Sequence, residues 1–176
     1  MATPTLAELL DEYERSLQYT ADLVTDLTTD EVHWRAGDEA SAIGWHLGHQ
    51  AAVAHFMVRN LTAAEPPIDA ELDALMDSAT PEVDRGELPA VSRIIDYRDA
   101  VAERVRFRIG NIESGNVGAP VQLRVIASGL MTAVINHEYQ HSKWIGEVRS
   151  EVHNKDLPAT PASPFLVELD GYCVVA

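Results

Sequence analysis

The segment His137-Glu138-Tyr139-Gln140-His141 places two imidazoles four residues apart. On a helix such residues lie one above the other, close enough to share one metal ion. They sit on an apolar stripe with Leu130, Val134, Trp144, Ile145 and Val148, so both rings are expected to point inward. Burying two imidazoles among apolar neighbours costs free energy unless each nitrogen finds a partner. A divalent cation would satisfy one nitrogen of each ring, and a carboxylate, carbonyl or water the other. Upstream, Trp45-His46-Leu47-Gly48-His49 offers a third imidazole, with His49 on the stripe that carries Trp45, Val53 and Phe56. Three neutral imidazoles at His49, His137 and His141 suit Zn²⁺, Ni²⁺ or Fe²⁺ and leave positions open to water or substrate.

The remaining candidates are weaker. His46 lies about 60° around the helix from His49 and is expected to support the site by hydrogen bonding rather than to bind the ion. Glu138 projects about 100° from His137. It is the candidate catalytic residue, as general base, or else an anchor to a neighbouring helix. The zinc-peptidase reading of H-E-x-x-H needs the first role and a third ligand downstream. Trp144 stands where the extended metalloprotease motif has glycine. His55 points away from the His49 direction and reads as core or surface. His33, in a connection, and His153, at a helix end, are expected to be exposed. Cys173 is the only cysteine, so neither an internal disulfide nor a cysteine-based metal site is available.

The elements that must position these side chains read as helices. Thr5-Leu6-Ala7-Glu8 has the spacing of a capping box and opens a helix expected to reach Leu27. Ser41 is the expected N-cap of a second helix running to about Leu61. Residues 62–90 are irregular and broken by Pro66-Pro67, Pro81 and Pro89, with a short helix expected over Ile68 to Met76. A connection this long is a candidate lid as well as a solvated loop. A third helix is expected over Val91–Ile112 and a fourth over Val121–Val152, with Gly129 as its weak point. Asp170-Gly171 between short apolar runs predicts a hairpin in the C-terminal tail. The predicted fold is all-α: one domain, residues 1–176, comprising an antiparallel four-helix bundle over about 5–152 with an irregular crossover between its second and third helices. Residues 153–176 form the tail.

Composition narrows the partners. The 176 residues carry a net charge of −15, which repels phosphate backbones, so neither nucleic acid nor anionic membrane is expected. Ala40 to Val58 lacks a formal charge, but three histidines, Gln50 and two glycines make it a poor span. The N-terminus has neither the basic start nor the apolar run of a signal peptide, and a cytoplasmic location is expected.

Taken at their relative places, Trp45-His46-Leu47-Gly48-His49 and His137-Glu138-Tyr139-Gln140-His141 resemble the DinB-like superfamily. So does the connection Leu27-Thr28-Thr29-Asp30-Glu31-Val32-His33-Trp34-Arg35, and Leu88-Pro89-Ala90-Val91 leading to Tyr97-Arg98. The resemblance covers roughly residues 1–152. It implies a four-helix bundle binding a divalent metal through His49, His137 and His141. Relatives include transferases and isomerases that use bacillithiol, mycothiol or glutathione, and the amino-terminal part of the ergothioneine sulfoxide synthases. The large second domain of those synthases has no counterpart here. The implied reaction has a low-molecular-weight thiol as cosubstrate, bound at the open metal position and attacking a small electrophile, with Arg35, Arg59 and Arg98 as candidates to hold the thiol's carboxylates. A homodimer is compatible with this reading. The competing readings are a non-catalytic metal-binding stress or sensor bundle and a metal-dependent hydrolase.

Overall fold

The computed structural model describes residues 3–176, which form six α-helices and one small sheet. Helix α1 (Leu6–Val24) opens on the expected capping box. The Thr5 hydroxyl accepts the Glu8 N–H at 3.2 Å, and the Glu8 carboxylate accepts the Thr5 N–H at 2.8 Å. The helix ends at Val24 rather than Leu27, because a second capping box, Thr28 with Glu31, starts the short α2 (Thr29–His33). Thr28-x-x-Glu31 carries that signal in the sequence.

Helix α3 (Ile43–Val58) is shorter than expected at both ends. Its N-cap is Ala42, which offers no side-chain cap; the Ser41 hydroxyl instead accepts from Arg85 at 2.8 Å. A Cβ on Gly44 would lie 3.2–3.3 Å from His33, Val32 and Leu88, so glycine here lets α2 and the 88 region close against α3.

The connection from α3 to the next long helix is largely exposed but anchored at a few buried side chains. It contains α4 (Ala70–Leu75), capped by the Asp69 carboxylate, and a 3₁₀ turn at Glu82–Asp84. Leu72 and Met76 are buried, and a Cβ on Gly48 would come within 2.5 Å of the Met76 sulfur. Gly48 is the seat for Met76.

Helix α5 spans Val91–Glu113. Helix α6 spans Pro120–Glu147, with proline in its first turn where a missing N–H costs nothing, and widens into a π-helical turn at Val148–Val152. Gly129 does not interrupt it. Helix α6 packs on α1, α3 and α5, while α5 also packs on α1 and α3. The shared core includes Leu9, Tyr13, Leu47, Ile94, Ile109 and Met131.

Strands β1 (Leu166–Leu169) and β2 (Tyr172–Val175) form the expected hairpin, with Leu166 opposite Val175. Asp170 and Gly171 have φ of 51° and 78°, the paired positive values a two-residue type I′ turn requires. Strand β2 lies on α6, where the Val175 N–H donates to Asn136 Oδ1 at 2.7 Å. Among the described residues no helix is long and apolar enough to cross a membrane.

Candidate metal centre

Helix α3 contributes His49, and successive turns of α6 contribute His137 and His141. One ring nitrogen from each lies within 4.8 Å of the others. The ring centroids are 4.4 Å apart for His137–His141, 4.9 Å for His49–His141 and 5.1 Å for His49–His137. His49 and His141 are buried and His137 is half-buried. The His49 Nδ1 lies 2.7 Å from the Met76 carbonyl oxygen. A carbonyl only accepts, so Nδ1 carries the proton and Nε2 keeps its lone pair. The anchored connection thus fixes the tautomer of a histidine on α3.

Burial sets the charge state. It pushes His137 down to about 4, with His49 nearby acting in the same sense. It pushes His141 lower still, helped by His137, His46 and His49, and it lowers His49 against the opposing bond to Met76. At neutral pH all three imidazoles are uncharged, the state a metal ligand requires. Uncharged nitrogen donors brought together from two helices, one of them held in a fixed tautomer by a carbonyl, fit a divalent cation; the three histidines could hold one.

The surroundings are aromatic. Trp45 stacks on His49 at 4.4 Å and 12°, and Trp144 meets His141 edge-on at 4.8 Å and 83°. His46 has its Nδ1 2.8 Å from the His141 Nδ1, a hydrogen bond between two imidazoles. With His141 presenting Nε2 to an ion, its Nδ1–H donates to His46.

Glu138 does project away from His137, into a buried polar network. Its carboxylate accepts from Arg98 Nη2 at 2.7 Å and from the Thr20 hydroxyl at 2.6 Å. Arg98 Nη1 also donates to the Leu47 carbonyl at 2.7 Å and to Gln50 Oε1 at 2.9 Å. The Glu138 carbonyl accepts from Gln50 Nε2 and from the Ser142 hydroxyl, each at 2.8 Å. The carboxylate makes no hydrogen bond to the three imidazoles among the described residues. Of its two expected roles, the anchoring one has these partners. Each of the three histidines is followed in sequence by a member of this network: Gln50, Glu138 and Ser142.

The other candidates separate. Arg98 is committed to that network. Arg59 lines a cleft of about 510 Å³ together with His49, His55, Asp73 and Met76. Arg35 lines another of about 300 Å³ beside Trp45. His55 is buried, with Nε2 3.1 Å from Arg104 and Nδ1 3.8 Å from Asp73. His33 and His153 are half-buried rather than exposed, because Leu88 and α3 close over the first and Trp34 packs edge-on against the second. The roles of Met76 and Gly48 were not anticipated from sequence, although a glycine inside a histidine motif signals a close approach of some kind.

A sequence-family model described as the DinB superfamily matches residues 12–145, a span that contains all three histidines. No curated protein matches the chain.

Proposed function

The chain belongs to the DinB superfamily, and on that premise we propose that it holds one divalent metal ion through His49, His137 and His141 and acts with a low-molecular-weight thiol on a small electrophile, as a transferase or isomerase. The observation that carries the proposal is the meeting of three uncharged ring nitrogens within 4.8 Å on two helices. We read α1, α3, α5 and α6 as an antiparallel four-helix bundle forming one domain, which the pairwise packing of these helices supports.

A divalent cation bound there would supply Lewis acidity, lowering the pKa of a thiol or water and orienting it. The protein's own contribution is orientation. Met76 and His46 hold the outer nitrogens of His49 and His141, and Trp45 and Trp144 fix the ring planes. The commitment of Glu138 Oε1 to Arg98 and Thr20, with no hydrogen bond from the carboxylate to the three imidazoles among the described residues, favours this reading over a hydrolase with Glu138 as base.

Elemental mass spectrometry of the purified protein tests the proposal. About one Zn, Ni or Fe per chain is expected, lost in both His49→Ala and His141→Ala. Stoichiometric metal that survives His49→Ala would move the third ligand elsewhere. No uptake after reconstitution would leave a bundle without this chemistry.

A further inference from the structure

Beside the histidines, on the other face of the Trp45 indole, lies the cleft of about 300 Å³ formed by the end of α2, the start of α3 and residues 85–88. Arg35, Arg85, His33, Ser41 and Trp45 line it, with the exposed Glu87 at its edge. Two guanidiniums facing one cleft stand out in a chain of net charge −15.

Their hydrogen bonds leave charge to spare. Arg35 is held only by carbonyl oxygens, those of Asp38, Ala40 and Glu82, and its Nη1 has no acceptor among the described residues. Arg85 is 8% exposed, donates to the Thr80 carbonyl and the Ser41 hydroxyl, and has one carboxylate near it, Glu82 at 3.3 Å. Burial and the charge of Arg35 both act to lower its pKa, with Glu82 opposing them. Buried charge of this kind is stabilised by an added anion.

Two further nitrogens of the lining are buried with no partner among the described residues: Nε2 of His33 and Nε1 of Trp45, a residue only 6% exposed. A buried indole N–H normally finds an acceptor. Trp45 also ties this cleft to the metal centre. The Arg85 guanidinium lies 3.7 Å from its ring centroid, and His49 stacks on it at 4.4 Å.

We propose that this cleft is the subsite for the carboxylate of a small anionic substrate, held by Arg35 and Arg85 while its reacting end lies at the histidines around the edge of Trp45. The inference rests on the reading of His49, His137 and His141 as the reactive centre, and it narrows the substrate class to small carboxylates. Planar guanidiniums suit a carboxylate, and the cleft volume is at the small end for ligand sites.

Calorimetric titration of the zinc-loaded protein with N-acetyl-L-cysteine and with N-acetylcysteamine, the same thiol without the carboxylate, tests the subsite. N-acetyl-L-cysteine is expected to bind about tenfold tighter or more, as a charge-assisted hydrogen bond to a buried guanidinium implies. The gap should close in Arg35→Gln and in Arg85→Gln, with zinc content and N-acetylcysteamine affinity unchanged. Equal affinity for the two thiols in the wild type, or a gap that survives in both variants, would overturn it. Should Arg85→Gln fail to fold, the half-buried Arg35→Gln decides alone. Should the protein take up no metal, N-acetyl-L-alanine is titrated instead: binding lost in Arg35→Gln supports the subsite, and no binding to the wild type rejects it.

Discussion

Two groups of buried polar side chains share the same turns of α3 and α6, and they are built on opposite terms. The network around Glu138 and Arg98 is charged and paired, drawing Thr20 from α1, Gln50 from α3 and Ser142 from α6. The histidine cluster is uncharged, brings three ring nitrogens together, and turns only its outer nitrogens to Met76 and His46. The contrast separates two uses of buried polarity. A network of paired charges and hydrogen bonds across helices fixes how they sit against one another, whereas a cluster with free lone pairs at its centre is competent to bind something. Adjacent residues, such as Glu138 beside His137, serve the two purposes because neighbours on a helix face directions about 100° apart.

The sharpest test of the contrast is to break each group in turn. Arg98→Ala leaves Glu138 as an unpaired buried carboxylate and is expected to cost about 3–5 kcal/mol in urea unfolding of the metal-free protein. His137→Ala should change metal-free stability far less while abolishing metal uptake. A comparable loss of stability in both would collapse the distinction.

Gly48→Ala probes the link between the anchored connection and the cluster. Its Cβ would meet the Met76 side chain, which must give way, and the expected outcome is that the residue's backbone follows and its carbonyl loosens from His49. Overpacking of this kind costs about 1–3 kcal/mol. Zinc affinity, measured against a competing chelator, should fall as well. Unchanged affinity at reduced stability would show that Met76 packs against α3 without orienting His49.

The smallest expected effect is pH-dependent and lies outside the cluster. Burial lowers the pKa of His55, against the pull of Asp73. The unfolded chain therefore binds its proton more readily than the folded one, and stability from this group is present above about pH 6.5 and lost as pH falls below it. Thermal scans of wild type and His55→Asn between pH 7.5 and pH 5 should show a shallower acid decline in the variant. Parallel declines would exclude His55.

The long helices and the three converging histidines were legible because periodicity and i, i+4 spacing are local signals that survive folding. The α2 helix was missed although its Thr28–Glu31 box is visible, since five residues carry too little apolar pattern to stand out. The Ser41 cap failed for a tertiary reason: Arg85, 44 residues away, claims its hydroxyl. The same applies to Met76, whose carbonyl acts on His49 only because Gly48 leaves room for its side chain. What sequence could not supply was the pairing across the crossover, where no period links the two partners.

The π-helical turn at Val148–Val152 bears on how this chain tolerates changes in length. One residue inserted between His137 and His141 would swing one of them by about 100° and dismantle the cluster. A π turn is the form a helix takes when it accommodates one residue too many. Here it lies downstream of His141, just where α6 hands over to the tail and Arg149 reaches back to the Leu23 carbonyl. At this end a length mutation is expected to be absorbed by a change of winding, leaving the spacing of His137 and His141 upstream in phase.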